Sequence, residues 1–199
     1  GDNRDQLSFV AWCTIWLGKA LWVCAPGSPG ACFTDWRQLA AQTTALQAGG
    51  WVFRGVGVWA KPSSRPQMGR FASACEYLVW GSAGPMRGGE DVGCLPGVVT
   101  CASVAGIDRE HLTQKPDAVM RWAVSVVQPG GVVLDPFAGS GSTGVAALAT
   151  GRRFVGIEQS PDYLEVAARR LSEAERAAEG QLFGPRSVAT QGGLFGGGR

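Results

Sequence analysis

Gly131–Glu158, GVVLDPFAGSGSTGVAALATGRRFVGIE, decides the fold. Val132, Val133 and Leu134 form a short apolar run between Gly130-Gly131 and Asp135-Pro136, which predicts a strand. Gly139, Gly141 and Gly144 then space a turn with little side chain in the way. Val145–Ala149 is rich in helix formers, and Gly151 is a natural stop. Phe154–Ile157 reads as a second strand that ends on an acid, Glu158. Glycines let a backbone approach a ligand closely, and a helix start offers free N–H groups. An acid at the tip of the next strand can accept hydrogen bonds from two ribose hydroxyls. The stretch therefore reads as a nucleoside site. GSGSTG fits G-x-G-x-x-G, the dinucleotide pattern, with its acid roughly twenty residues on. No Lys lies in the loop, which excludes a phosphate-cradling P-loop.

Outward from this stretch, strands and helices alternate. Asp5–Cys24 predicts a helix, closed by Pro26-Gly27-Ser28-Pro29-Gly30. Ala31–Thr34 predicts a short strand with Asp35-Trp36-Arg37 at its carboxyl end, where ligands gather in open α/β sheets. Gln38–Gln47 reads as a helix; Trp51–Trp59, Cys75–Trp80 and Val98–Cys101 read as strands. Met120–Val127 continues as a helix up to Pro129-Gly130. Ser160-Pro161-Asp162 opens the last helix well, and Leu164, Ala167, Ala168 and Leu171 mark its buried face. The pattern predicts a three-layer α/β fold, a doubly wound and mostly parallel sheet with helices on both faces. One domain over residues 1–179 is expected, with a Gly-rich disordered tail over 180–199.

Bulk properties narrow the function. The 199 residues carry a net charge of +2, too small to announce a nucleic-acid partner except through a local surface. The six cysteines form no C-x-x-C pair, so buried free thiols in a reducing cytosol are expected. His111 is the single histidine, which argues against a His-based metal site and against a Ser/His/Asp triad; no metal is expected. Leu7–Ala25 approaches the length and apolarity of a membrane span, but Lys19 lies inside it, and a buried core helix is expected instead.

DPFAGSGST closely resembles the S-adenosylmethionine (SAM) loop of the DNA amino-methyltransferases, which methylate adenine N6 or cytosine N4. His111-Leu112-Thr113-Gln114-Lys115-Pro116 stands before a helix and then this loop, a succession that resembles the circularly permuted β-class of that family. Trp59-Ala60-Lys61, Arg70-Phe71 and Glu76–Trp80 resemble its W-x-K … R-F … H-E-x-I segment, with Cys75 where His is common. Asp35–Gln38 and Arg65–Arg70 look like small phage- or prophage-type members. The resemblance covers residues 1 to about 175. It implies a Rossmann-like SAM-dependent methyltransferase fold, SAM as cofactor, double-stranded DNA as partner, a restriction-modification setting and the cytoplasm of a bacterial or phage-infected cell.

The resemblance also implies roles. Asp135, Phe137, Gly139, Ser140, Gly141 and Thr143 would line the cofactor loop, Glu158 would take the ribose hydroxyls, and Thr113 and Lys115 the methionine carboxylate. Lys61, Arg65, Gln67 and Arg70 would face DNA phosphates. Residues 81–110 would form a short target-recognition insert. The family's catalytic Asp/Asn/Ser-Pro-Pro-aromatic motif has no counterpart, since Pro-Pro occurs nowhere in the chain. In the β-class order that motif closes a central strand upstream of the first helix. A missing amino-terminal segment is therefore expected, and no catalytic residue is assigned. Gln191–Phe195, Q-x-x-L-F, resembles peptides bound by bacterial sliding clamps. Two other readings stay open: a non-catalytic SAM- or DNA-binding partner, and a dinucleotide-dependent oxidoreductase.

Overall fold

A computed structural model describes residues 5–62, 68–86, 92–103 and 115–183. Helix α1 spans Gln6–Val23. Asp5 caps it by accepting the Ser8 N–H at 2.9 Å, and this bond holds the Asp5 carboxyl below its ordinary pKa. Pro26 ends the run, because its ring cannot continue a helix. Then come β1 (Pro29–Thr34), α2 (Leu39–Ala48), β2 (Val52–Ala60), β3 (Cys75–Ser82) and β4 (Val98–Thr100). The second half holds α3 (Asp117–Val124), β5 (Val132–Asp135), α4 (Ser142–Ala149), β6 (Arg153–Gly156) and α5 (Pro161–Phe183).

Among the described residues the strands form two sheets, β1-β3-β2-β4 and β5-β6. β5 and β6 are parallel, from Val132 opposite Arg153 to Asp135 opposite Gly156. β4 runs parallel to β2, while β3 is antiparallel to both β1 and β2. The reason lies in the connection. A parallel neighbour needs a long crossover, usually helical, whereas among the described residues no helix lies between β2 and β3.

Helices cover both faces, as expected of a three-layer α/β fold. Successive side chains of a strand point to opposite faces, and Cys32 and Phe33 of β1 show it. Cys32 packs with Cys13, Leu17, Ala45, Leu46 and Val79 under α1 and α2. Phe33 packs with Met120, Val124 and Ala146 of α3 and α4, as does Val133 of β5. Trp122 of α3 lies on β2, where a Cβ at Gly57 would fall 2.6 Å from its ring.

Some expectations need correction. α1 is not buried all round: Cys13 and Leu17 are buried, yet Leu7, Ile15, Trp22 and Val23 are at least 64% exposed. Its apolar residues encircle the helix, and the sheet and α2 take only one side. Among the described residues no helix is long and apolar enough to cross a membrane. All six cysteines are free; Cys13 is buried, Cys32 is packed against the same core, and Cys94 is exposed. In α5, Ala167 is buried while Leu164 is half exposed. That helix runs on to Phe183, past the boundary expected at 179.

Candidate functional site

β5 ends where the chain turns. The Asp135 carboxylate accepts the Phe137 N–H at 3.0 Å on Oδ1 and the Thr143 hydroxyl at 2.6 Å on Oδ2. One side chain thus closes the turn from strand to α4. Gly139 and Gly141 lie at φ +53° and +79°, the left-handed region that favours glycine. A Cβ at Gly139 would meet nothing within 4 Å, so its surface is free for a ligand. A Cβ at Gly144 would fall 2.5 Å from Leu171 Cδ2 and 2.6 Å from the Phe154 ring. Glycine there lets α4 settle on α5 and β6. The three glycines have three reasons: open approach, a left-handed helix cap and close packing.

The loop is braced from two more directions. Glu158, just beyond β6, accepts the Gly139 N–H at 2.8 Å and the Ser160 N–H at 2.9 Å, one on each carboxylate oxygen. From α5, Arg170 donates to the Ser140 carbonyl at 2.6 Å and to the hydroxyls of Ser140 and Ser142 at 3.1 and 3.3 Å. Phe137 is half exposed and packs edge-on to Trp16, ring centroids 5.1 Å apart, with Trp12 at 5.7 Å.

Asp135, Phe137, Gly139, Ser140, Thr143 and Lys115 open together on one cavity of about 780 Å³. Gly141 lies beneath it at the start of α4, against Ala167, and Glu158 braces the turn from the β6 side. Lys115 arrives from a distant segment. Its ammonium lies 4.8 Å above the Phe33 ring and 3.5 Å from Glu76 Oε2. Glu76 Oε1 takes the Lys61 ammonium, which also lies 4.6 Å above the Trp59 ring. Glu76 thus holds two cations, and Lys61 is paired rather than turned outward. Burial pushes the Cys32 thiol on the cavity wall up to about 12, with Cys13 and the Asp135 charge adding to it and a contact with Gln42 opposing it.

Arg70 lies among the described residues and is exposed. Thr113, Arg65, Gln67, His111 and the Gln191–Phe195 motif lie outside them, as does part of 81–110. Of that last segment, Val98–Thr100 pairs with the edge of the sheet as β4. Asp35 bonds to Arg37 and to the N–H of Gln38, so it caps the turn into α2. Among the described residues no group of three or more His, Cys, Asp or Glu could hold a metal ion. The sequence assigns no site role to Arg170, nor to Glu76 beyond its place in the segment that resembles H-E-x-I. For Arg170 a signal existed: it stands three residues after Ala167, next to the face that packs on the loop.

Two parallel strands joined through a glycine turn and a helix, with an acid beyond the second strand and a cation across the cavity, form a Rossmann-like α/β unit. Known proteins share it. Residues 94–169 match the family model of N6/N4 DNA methylases. "DNA adenine methyltransferase YhdJ" of Escherichia coli K12 is 45% identical over 73 residues, 36% of this chain and 25% of that protein. "Putative methylase YubD" of the same strain is also 45% identical over 73 residues, 32% of its length. The matched segment is thus a quarter to a third of those relatives. The crystal structure of an M1.HpyAVI–SAM complex superposes with TM-score 0.67 at 26% identity, covering 79% of this chain and 81% of that one. The cytosine-N4-specific PvuII DNA methyltransferase shares the fold, with TM-score 0.70 over 92% of this chain and 80% of its own at 16% identity. Through this segment the chain is similar to DNA amino-methyltransferases.

Proposed function

We propose that the chain is the cofactor-binding body of a SAM-dependent DNA methyltransferase that modifies an exocyclic amino nitrogen, adenine N6 ahead of cytosine N4. The observation that carries this reading is the Asp135–Thr143 turn opening on the same cavity as Lys115. A sulfonium amino acid joined to adenosine needs both ends held. Lys115, with Thr113, takes the methionine carboxylate by charge and hydrogen bond. Asp135, Phe137, Gly139, Ser140, Gly141 and Thr143 surround the methionine and adenosine parts. Glu158 keeps lone pairs for the ribose hydroxyls beyond the two N–H groups it already accepts. Bound there, SAM would supply the methyl group: the base amino nitrogen would take the methyl carbon as its bond to sulfur breaks, S-adenosylhomocysteine would leave, and the nitrogen's proton would pass to water.

The partner in this reading is duplex DNA with its target base turned out of the stack. Exposed Arg70, with Arg65 and Gln67, would face the phosphates, Lys61 being held by Glu76, and residues 81–110 would contribute to target choice. The adenine preference rests on the name of the Escherichia coli relative. The test is methyl transfer from labelled SAM to unmethylated DNA of varied sequence, followed by nucleoside mass spectrometry. SAM binding by the chain is the expected result, and N6-methyladenine or N4-methylcytosine the expected product when a Pro-Pro-aromatic segment is supplied. If SAM does not bind the chain in calorimetry and a nicotinamide cofactor does, the reading is overturned in favour of an oxidoreductase.

A further inference from the structure

Glu76 lies near the start of β3, opposite Trp59 of β2, and the next residue, Tyr77, lies opposite Thr34 at the end of β1. It thus stands where β1 and β2 finish. Two lysines from other segments converge on it. Lys61 follows β2 and Lys115 precedes α3. Glu76 Oε1 takes the Lys61 ammonium, and Oε2 lies 3.5 Å from that of Lys115. Each ammonium also rests on a ring, Trp59 for Lys61 and Phe33 for Lys115. The three side chains are 21–25% exposed, so water and salt screen their charges less than those of a surface pair.

One carboxylate faces two cations, which leaves one positive charge over. That excess has a direction. Lys115 lines the 780 Å³ cavity, whereas Glu76 and Lys61 do not. Among the described residues Asp135 is the other charged group on that wall, and it is committed to the Phe137 N–H and the Thr143 hydroxyl. An ammonium has three donors, and Glu76 takes at most one of those on Lys115. Lys115 therefore keeps donors for an anion in the cavity.

We propose that Glu76 is a positioning residue for a carboxylate of the ligand: it fixes the Lys115 ammonium on the cavity wall, and Lys61 keeps Glu76 from neutralising that ammonium. A lysine stem is flexible, and one held in place beforehand loses less freedom when the ligand arrives. With the carboxylate bound, Lys61, Glu76, Lys115 and the ligand alternate in charge and sum to zero. Without Lys61, Glu76 would already cancel Lys115, and the incoming carboxylate would meet a neutral pair. Pro116 holds the backbone next to Lys115, because its carbonyl accepts the Val119 and Met120 N–H groups at the start of α3. That the ligand is SAM rests on the proposed function; the hold of Glu76 on Lys115 does not.

Calorimetry on the 199-residue chain with SAM and with decarboxylated SAM tests it, since the second ligand lacks only the carboxylate. Glu76→Gln should weaken SAM about tenfold and the decarboxylated form less than about twofold. Lys61→Met should act in the same direction, about threefold, whereas Lys61→Arg keeps the charge and should bind SAM like the unaltered chain. Equal losses for the two ligands would make Glu76 structural only and overturn the proposal, as would unchanged or tighter SAM binding by Glu76→Gln. If Glu76→Gln does not fold, Lys61→Met carries the same comparison. The protein without ligand gives a separate readout: acetic anhydride should modify Lys115 at least about threefold faster in Glu76→Gln. Equal modification overturns the hold on Lys115. Faster modification in a chain that binds neither ligand leaves that hold standing and overturns the proposed function.

Discussion

Thr143 donates its hydroxyl to Asp135 Oδ2 at 2.6 Å, tying the first turn of α4 to the end of β5. Hydrogen bonds to a charged group contribute about 1.5–3 kcal/mol. Thr143→Val keeps the shape and removes the donor. It should weaken SAM binding by roughly 10- to 100-fold in calorimetry, and Thr143→Ser should restore most of it. Equal affinity for the valine and serine variants would show that the bond does not hold the loop.

Gly139 and Gly144 should part company under substitution. Gly144→Ala drives a methyl into Leu171 and Phe154 and should cost about 1–3 kcal/mol by overpacking, read as a fall in melting temperature. Gly139→Ala has room and suffers chiefly from its positive φ, about 1 kcal/mol. Its larger effect should be on cofactor binding, because the added methyl occupies the open face of the turn. A melt in which Gly139→Ala is the more damaging variant would contradict the packing argument.

Glu158→Gln replaces one of two carboxylate oxygens, each of which holds a backbone N–H, with an amide donor. One N–H then faces another donor. The variant should lose about 1.5–3 kcal/mol of nucleoside binding. Adenosine alone should show the same loss as SAM, since the defect lies at the ribose end. If only SAM weakens, Glu158 acts elsewhere.

Cys32 and Cys94 should differ in alkylation. Burial lifts the Cys32 thiol to about 12, so at pH 8 about one molecule in ten thousand carries the thiolate. Iodoacetamide at pH 8 should label exposed Cys94 within minutes and leave Cys32 unreacted. The sign is fixed by the upward shift: labelling of Cys32 should rise only as the pH approaches 12. Equal rates at pH 8, read by peptide mass spectrometry, would rule out the buried environment.

Much of this was legible in the chain. The strand ends and helix starts around Gly131–Glu158 follow from local punctuation by Gly, Pro and Ser, so β5, α4 and β6 fall where periodicity places them. The same holds for α1, whose Asp5 cap is a local signal. The direction of β3 was not legible, because strand polarity depends on pairing partners far along the chain. The exposure of Trp22 and Ile15 was hidden for a related reason. An apolar helix shows which side it buries only once α2 and β1 are in place. Within the candidate site, Glu158 stood out by its place beyond the second strand and Asp135 and Thr143 through the resemblance of DPFAGSGST, whereas the Glu76 link between Lys61 and Lys115 joins three segments that no local window contains.

The order of the elements has a consequence for synthesis. The four strands of the first sheet are complete at Thr100, and the second strand of the ligand turn ends 56 residues later, at Gly156. At 5–20 residues per second that is an interval of roughly 3–11 s. A nascent chain can therefore pair β1, β2 and β3 before any surface able to hold a nucleoside has left the ribosome. Cofactor in the cell can stabilise this protein only after β6 has emerged.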